Sequence, residues 1–370
     1  MVASTVISNG LDGIVVAETE ISEVDGDKGR LIIRGKDAEE LAFASTFEET
    51  CLVLWCGPDA LERGKDIDHL RKCFGLARLE AYELLKGKPF ILTQKNPMDA
   101  IRTATSFLTG DTRAGIDEFA KLTAAVAVFA ANWLRLKEGL PIVTPDPELS
   151  HSADFLRMLR GENAPAIETQ GLDTYLTTVS DHGMNASTFT ARVVASTDSD
   201  NVSCVVAAIG ALKGPLHGGA PGPVLEMLDA IGTAGDAEKW LTKELDAGKR
   251  IMGMGHRIYK VRDPRAAIFE RAIKRLEDAG VPARRLALAR AVEKKAEELL
   301  ARRHPEKPLK ANVEFYTAVL LDALAIPKDL FTSVFAVGRV GGWCAHIAEQ
   351  RRKGRLIRPA SRYCGPRPPN

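Results

Sequence analysis

The stretch Gly214-Pro215-Leu216-His217-Gly218-Gly219-Ala220-Pro221-Gly222-Pro223 lies between two helical patterns of the sequence. It holds four glycines and three prolines, so we expect an irregular, backbone-exposing link. A second polar link at 304–311 carries Pro305 and Pro308. Between the two links lies a charge-rich, amphipathic helical block of about 80 residues, the size of a small domain. The sequence therefore predicts a large domain of residues 1–217 and 321–370, with a small domain of residues 218–320 inserted into it.

Helical spacing of apolar residues dominates the rest of the chain. A capping box at Thr46 and Glu49 precedes one helix. Further helices are predicted at 97–109, 113–139, 148–160, 186–197, 201–212, 223–231, 236–247, 264–279, 282–303, 313–324 and 328–349. Residues 21–35 place a Gly/Asp-rich turn between two short apolar runs, which is the only convincing β signal. The predicted fold is mainly α, a large helical domain with a smaller helical domain inserted and a short N-terminal β-hairpin.

Composition excludes several classes of function. The 370 residues include 50 Lys plus Arg and 49 Asp plus Glu, so a net charge of +1 offers no general attraction for nucleic acid or an anionic membrane. The longest uncharged apolar run, Leu122–Leu134, is shorter than the roughly 20 residues that span a bilayer. Met1–Asn9 lacks the basic start and apolar centre of a signal peptide. We therefore expect a cytoplasmic protein that binds neither nucleic acid nor membrane.

Several site motifs are missing from the sequence. Gly253-Met254-Gly255 lacks the third glycine of a dinucleotide fingerprint and follows no convincing strand, which argues against a Rossmann domain. No P-loop, H-E-x-x-H or G-x-S-x-G motif occurs. The six cysteines form no C-x-x-C pair, and we expect reduced, mostly core residues and no metal site: Cys51, Cys56, Cys73, Cys204, Cys344 and Cys364.

Three histidines stand out by their position. His182, His217 and His256 each lie beside glycine in segments that break the helical pattern, although each taken singly is as compatible with a structural role as with a functional one. Arg265 follows the helix start Asp263-Pro264 and therefore lies in a first helical turn. A cation is unfavourable there unless an anion binds against it, while a solvated arginine is the alternative.

The C-terminal segment is strongly basic. Residues 351–370 contain seven Lys and Arg and no acid, which is typical of a solvated tail. Arg358 precedes Pro359, and Tyr363 and Gly365 follow. Because proline fixes the chain locally, this part looks ordered rather than merely soluble.

Five segments of the chain, in this order, resemble the citrate synthase family. They are Asp-His-Gly-Met-Asn-Ala-Ser at 181–187, Gly-Pro-Leu-His-Gly-Gly at 214–219, Ile-Met-Gly-Met-Gly-His-Arg-Ile-Tyr-Lys at 251–260 with Asp-Pro-Arg at 263–265, Asn-Val-Glu-Phe-Tyr at 312–316, and Arg358-Pro359 with Tyr363 and Gly365. The openings at 10–14 and 25–31 resemble the short bacterial type. The resemblance covers nearly the whole chain and implies a citrate-synthase-like fold.

The resemblance implies a reaction and its catalytic residues. The family joins the methyl carbon of acetyl-CoA to the ketone of oxaloacetate and hydrolyses the citryl thioester, without metal or redox cofactor. Such chemistry needs a base at a weakly acidic carbon and donors at two oxygens. By position, Glu314 corresponds to the base, His217 to the donor for the thioester oxygen, and His256 to the donor that polarises the ketone.

The same resemblance implies binding residues and an assembly. His182, Arg265 and Arg339 correspond to oxaloacetate-binding residues, and Arg358 to an arginine that the other subunit contributes, so a homodimer with shared active sites is expected. Ser187 corresponds to a serine that orients His217. The residues expected to bind CoA, within a mobile small domain, are Ile251, Met252, Gly253, Met254, Gly255 and Lys260.

Two departures from the family pattern leave alternatives open. Glu314 stands where most members have Asp, and Pro221-Gly222-Pro223 follows where many continue with Asn. The acyl group is therefore undecided between acetyl-CoA and propionyl-CoA, the substrate of 2-methylcitrate synthase. A catalytically silent dicarboxylate or acyl-CoA sensor would not need Glu314, and a metal-binding role for the histidines is opposed by the neighbouring arginines.

Overall fold

A computed structural model of the chain describes residues 10–368 except 12, 63–66, 113–114, 219–220, 257 and 307–308. The described part is mainly α, as predicted. Its helices are α1 Ala38–Ala44, α2 Phe47–Cys56, α3 Ile67–Gly87, α4 Pro97–Thr105, α5 Ile116–Lys137, α6 His151–Arg160, α7 Ala166–Val179, α8 Ala186–Ala195, α9 Asn201–Leu212, α10 Pro221–Ile231, α11 Ala237–Asp246, α12 Pro264–Asp278, α13 Leu286–Arg303, α14 Val313–Ala323 and α15 Phe331–Lys353. Short 3-10 turns lie at Pro89–Leu92, Ala234–Asp236 and Lys328–Leu330.

The predicted N-terminal hairpin is confirmed. Strand β1, Ser22–Asp25, pairs antiparallel with β2, Arg30–Ile33, so that Ser22 lies opposite Ile33. Gly29 takes a positive φ of 62° in the turn, a conformation that costs glycine little. A two-residue strand, β3 at Lys36–Asp37, pairs with β2 and adds a third strand that the sequence pattern did not indicate.

Helix starts follow the expected chemistry, but three helices were missed. The Thr46 side chain accepts from Glu49 N and the Glu49 side chain accepts from Thr46 N, which confirms the capping box. The helical pattern did not predict α1, α3 or α7. Every residue of α7 from Gly171 to Val179 is buried, and a helix surrounded by protein has no single apolar stripe to recognise.

The core lies around α5 and α15. By length and composition alone, helix α5 could cross a membrane, because it extends beyond the uncharged run Leu122–Leu134 that the sequence shows. Of its most apolar 18-residue stretch, however, 89% is buried inside the protein. Helices α3, α4, α6 and α15 pack around it. Helix α15 is buried for most of its length and also contacts α2, α7, α8 and α9. It therefore carries side chains from the core to the loops that follow α7 and α9.

The predicted small domain contains α10 to α13 and most of α14, because its predicted boundary at 320 falls inside α14. Helix α11 packs on α13, while α10 and α12 pack on α14. Helix α12 also packs on α7 and α1, outside the predicted domain. The boundaries at 218 and 320 stay predictions, and the parts of the sequence hypotheses that involve Asp12, Gly219, Ala220, Arg257 and Pro308 lie outside the described residues.

Candidate active site

His182, His256 and Tyr259 form one aromatic cluster. His182, in the loop after α7, has its Nε2 atom 3.1 Å from the Tyr259 hydroxyl. The ring centroids of His182 and His256 are 5.7 Å apart, and those of His256 and Tyr259 are 4.8 Å apart. Two of the predicted site histidines, 74 residues apart in sequence, are therefore neighbours. Burial, reinforced by the positive charges of Arg265 and Arg339, holds the pKa of His182 well below its usual range.

The protonation of His256 follows from its backbone contacts. Its Nδ1 atom accepts from the N–H groups of Ile258 at 3.0 Å and Tyr259 at 3.1 Å. Burial, together with the charge of Arg265, lowers the pKa of His256 to about 4. The ring is therefore neutral at pH 7 with its proton on Nε2. The His256 Nε2 atom lies 3.5 Å from Arg265 Nη2. The imidazole N–H and the guanidinium N–H are therefore two neighbouring donors.

Arg265 is buried against the helix cap that precedes it. The Asp263 side chain caps α12 by accepting from Arg265 N, and its carboxylate also accepts from Arg265 Nε at 3.0 Å and Nη2 at 2.7 Å. This bidentate pair supplies the anion that a first-turn arginine needs. Arg265 Nη1 makes no hydrogen bond to any described residue. The sequence predicted the cap and the cation but not that the cap itself is the counter-charge.

A short antiparallel pairing brings the loop of His256 to the start of α14. Gly255 N donates to Lys310 O at 2.7 Å, Asn312 N donates to Gly253 O at 2.9 Å, and the Asn312 side chain donates to Gly255 O at 2.9 Å. At Gly253, where φ is 73°, an added Cβ would lie 2.8 Å from Phe315 Cβ. Glycine is required there for the close approach.

Glu314 lies in the first turn of α14, two residues after its cap Asn312. The side chain is partly buried, and its Oε2 atom is buried without a hydrogen-bond partner among the described residues. Burial raises the pKa of this carboxyl to about 7, against the opposing effect of Arg265. A buried carboxylate oxygen left without a donor is costly in a folded protein, and it has the properties of a general base that works near neutral pH.

His217 is positioned by Ser187, the second residue of α8. Its Nε2 atom lies 2.8 Å from Ser187 Oγ and 3.3 Å from Ser187 N. Ser187 Oγ also accepts from Trp343 Nε1 at 3.1 Å and lies 2.8 Å from Asn185 Oδ1. Because the Ser187 N–H points at Nε2, this nitrogen is the acceptor and Nδ1 carries the proton of the neutral ring. Burial, with the charge of Arg339, lowers the pKa of His217 to about 4.

Arg339 lies in the buried middle of α15, close enough for its charge to act on both His182 and His217. Its Nε donates to Val179 O at 2.5 Å, and its guanidinium lies 4.6 Å from the centroid of the Phe335 ring. Its charge contributes to the low pKa of both His182 and His217. Burial in turn lowers the pKa of Arg339 to about 10.

The remaining predicted residues lie further out. Lys260 is exposed and pairs with Asp27 in the hairpin turn, at 2.7 Å. Arg358 is exposed in the extended segment after α15, whose backbone is held by Ile357 N donating to Ser196 Oγ. Within one chain, Arg358 makes no hydrogen bond or ion pair with His182, His256 or His217. In the segment from Ile251 to Gly255, which is expected to bind CoA, the N–H of Gly255 already donates to Lys310 O.

Sequence reasoning missed several residues that hold the site together. Tyr259, Asn185 and Asn312 lie inside the family-like segments and could have been found there, the two asparagines as helix caps. Trp343 could not, because its role depends on α15 lying beside α8. Together these residues position an unpaired carboxylate, two neutral imidazole donors and two buried guanidinium groups, a set suited to proton abstraction beside a bound carboxylate-containing substrate.

Comparison with known proteins gives one consistent result. The family model "Citrate synthase, C-terminal domain" matches residues 10–360. The citrate synthase of Haloferax volcanii is 37% identical over 97% of this chain and 96% of its own length. The crystal structure of citrate synthase from Thermotoga maritima is 34% identical with a TM-score of 0.83, covering 99% of this chain and 98% of its own. The ternary complex of carboxymethyl coenzyme A and oxaloacetate with citrate synthase from Thermoplasma acidophilum is 27% identical with a TM-score of 0.83, over 98% and 97%. The chain belongs to the citrate synthase family.

Proposed function

We propose that this chain condenses acetyl-CoA with oxaloacetate as a citrate synthase, with Glu314 as the base. The observation that carries the proposal is the Glu314 carboxyl group, whose Oε2 atom is buried without a partner and whose pKa lies at about 7. A base with this pKa is half ionised at neutral pH and strong enough to assist removal of a proton from the methyl group beside a thioester. Relatives over the full length of the chain carry the same activity in their names.

The two histidines supply donors without supplying charge. His217 Nδ1–H would donate to the thioester oxygen while the enolate forms, and His256 Nε2–H would donate to the ketone oxygen that the new carbon–carbon bond turns into an alkoxide. Both rings are neutral at pH 7 because their pKa values are about 4. Fixed donors in a partly desolvated site stabilise developing negative charge more than water does. Water then cleaves the citryl thioester to citrate and CoA.

The arginines would hold the substrate carboxylates. Arg265 keeps Nη1 for a ligand after Asp263 has taken Nε and Nη2, and Arg339 lies close enough to affect His182. Guanidinium groups are suited to carboxylates because their N–H donors match the two oxygens. The structure of the Thermoplasma acidophilum relative with oxaloacetate and a CoA derivative supports this pair of ligands. No step in this scheme requires a metal or a redox cofactor.

The acyl group and turnover are tested in one assay. The comparisons do not favour the 2-methylcitrate synthase alternative, since the relatives above are citrate synthases. We expect purified protein with oxaloacetate to release CoA faster from acetyl-CoA than from propionyl-CoA, measured as kcat/KM. Faster release from propionyl-CoA would reverse the assignment of the acyl group. Tight binding of oxaloacetate without release of CoA would instead identify a sensor.

We propose further that two chains form a cytoplasmic homodimer in which Arg358 completes the neighbouring site, and that a mobile small domain holds CoA through residues 251–255 and Lys260. Arg358 is exposed and makes no hydrogen bond or ion pair with the described site histidines of its own chain, which supports a role in another subunit. Mixing inactive Arg358→Ala and His256→Ala subunits should restore one intact site per heterodimer. If activity does not return after confirmed subunit exchange, Arg358 does not act across subunits.

A further inference from the structure

A cluster of three ligand-type side chains lies on the surface formed by α3 and α5. His69 and Cys73 are four residues apart on α3 and therefore share one face of that helix. Asp117 lies in the first turn of α5, a helix that packs along α3. None of these residues takes part in the site described above. The sequence pattern, which lacks any paired cysteine motif, gave no reason to expect the cluster.

The three donor atoms converge on one point. Cys73 Sγ lies 3.4 Å from His69 Nε2 and 3.1 Å from Asp117 Oδ1, and His69 Nε2 lies 3.3 Å from Asp117 Oδ1. Metal–ligand lengths of about 2.3 Å for sulfur and about 2.0 to 2.2 Å for nitrogen and oxygen give edges of about 3.4 to 3.6 Å in a tetrahedron. The observed triangle is within about 0.5 Å of that face, so small side-chain rotations would complete it.

The arrangement differs from a proton relay of the Cys-His-Asp type. In such a relay the thiol and the carboxylate contact opposite nitrogens of the imidazole, whereas here both lie beside the same Nε2. Three donors around one point instead resemble three corners of a tetrahedral coordination sphere. His69 and Asp117 are more than half exposed, so a solvent molecule can reach the fourth position.

The donor set indicates which cation fits. One thiolate, one imidazole and one carboxylate are ligands of Zn²⁺, while Mg²⁺ and Ca²⁺ prefer oxygen alone. Without a cation, the Cys73 thiol donates a hydrogen bond to Asp117 Oδ1. A divalent ion would replace the thiol proton and neutralise the two anionic ligands.

We propose that His69, Cys73 and Asp117 form a surface zinc site that fastens the start of α3 to the start of α5, with water as the fourth ligand. The site is independent of the proposed catalytic reaction. Its expected effect is on stability, because an ion that binds the folded state alone raises the unfolding temperature.

The test uses the full-length protein after treatment with EDTA and removal of the chelator. We expect Zn²⁺ to bind at one ion per chain in competition with a chromophoric chelator, and Co²⁺ to give the charge-transfer absorption of a cobalt–thiolate bond. Cys73→Ser and His69→Gln should each weaken Zn²⁺ affinity by about 100-fold or more, since even outer partners of a ligand are worth about 10- to 100-fold.

Matched controls separate this site from other binding. Cys364→Ser removes an exposed cysteine elsewhere and should leave affinity, stoichiometry and cobalt absorption unchanged. Zn²⁺ should raise the unfolding temperature of the wild type but not of Cys73→Ser, whose turnover should equal that of the wild type. Absence of cobalt–thiolate absorption, or equal Zn²⁺ affinity for the wild type and Cys73→Ser, would overturn the proposal.

Discussion

The two sides of the candidate active site are built in different ways. On the Glu314 side, defined as His256, Arg265 and Glu314, the polar contacts come from backbone amides and from the helix caps Asp263 and Asn312. On the His217 side, the imidazole contacts Ser187, which in turn contacts Trp343 from a distant helix. The first side is held mostly within two short segments, and the second by side chains that only the tertiary fold brings together.

Because of this difference, loss of a contact should have different effects on stability and catalysis on the two sides. On the Glu314 side, Asp263 also accepts from Val313 N at 3.1 Å and so ties α12 to α14. Damage there should cost both stability and chemistry. On the His217 side, one hydroxyl group lies between three partners, so its loss should change the orientation of the His217 ring and should cost less stability than breaking the buried Asp263–Arg265 pair.

The largest effect is expected from Glu314→Gln. The amide keeps the size of the side chain but cannot accept a proton, so kcat should fall by about 10² to 10⁴. Oxaloacetate binding, measured by calorimetry, should stay nearly unchanged because the base acts on the acyl-CoA. Glu277→Gln, on the exposed face of α12, is the matched control. Turnover of folded Glu314→Gln close to that of the wild type would remove Glu314 from the mechanism.

Asp263→Asn should lower the free energy of unfolding by destabilising the Glu314 side. Asparagine still caps the helix, but it leaves Arg265 as a buried cation without its counter-charge. Breaking a buried ion pair in this way costs about 3 to 5 kcal/mol, which urea unfolding would measure. Asp329→Asn, which breaks the half-exposed pair with Lys137, should cost about 1 kcal/mol or less. Equal losses in the two variants would show that the buried pair does not hold this side together.

Ser187→Ala should sharpen the contrast from the His217 side. His217 would lose the hydroxyl that fixes its ring, and small misplacement of a catalytic group can cost about 10²-fold in rate. We expect kcat to fall by about 10- to 100-fold, and the free energy of unfolding to fall by about 1 to 3 kcal/mol because the buried Trp343 Nε1 loses its acceptor. Ser203→Ala, a first-turn serine of α9 bonded to Asp200, should leave kcat unchanged. An unchanged kcat for Ser187→Ala would show that backbone contacts alone orient His217.

The last prediction concerns how stability depends on pH. The Glu314 pKa is raised in the folded state, to about 7 from about 4.5, so the folded state holds this proton more tightly than the unfolded state does. The group therefore destabilises the fold progressively as pH rises from about 4.5 to about 7. Glu314→Gln should equal the wild type in stability near pH 4.5 and exceed it at pH 8 by about 3 kcal/mol at most. A variant less stable than the wild type at pH 8 would contradict the burial argument.

The sequence predicted local features of the fold better than long-range ones. The hairpin, the capping box at Thr46 and the start of α12 at Pro264 follow from turn and cap chemistry between neighbouring residues. Helix α7 escaped because burial on all sides removes the polar face that marks an amphipathic helix. Helix α3 begins directly after residues outside the described range and was also missed.

The candidate site shows the same limit. Resemblance to a family named the residues, and their roles stay predictions. Chemistry within neighbouring residues, such as Asp263 before Arg265, was visible in part. The protonation states of the histidines were not, because the pKa values of His217 and His256 depend on burial and on Arg339 and Arg265, which the sequence alone does not place in space.

The pH dependence of kcat/KM is the most direct measurement of whether Glu314 is a base whose pKa lies near 7. The histidine donors stay neutral down to about pH 4, so among the groups of the candidate site only Glu314 should titrate between pH 5 and 8. We expect kcat/KM to be level above about pH 7 and to fall about tenfold per pH unit below it, as the carboxylate becomes protonated. A profile that stays level down to pH 5 would contradict this expectation.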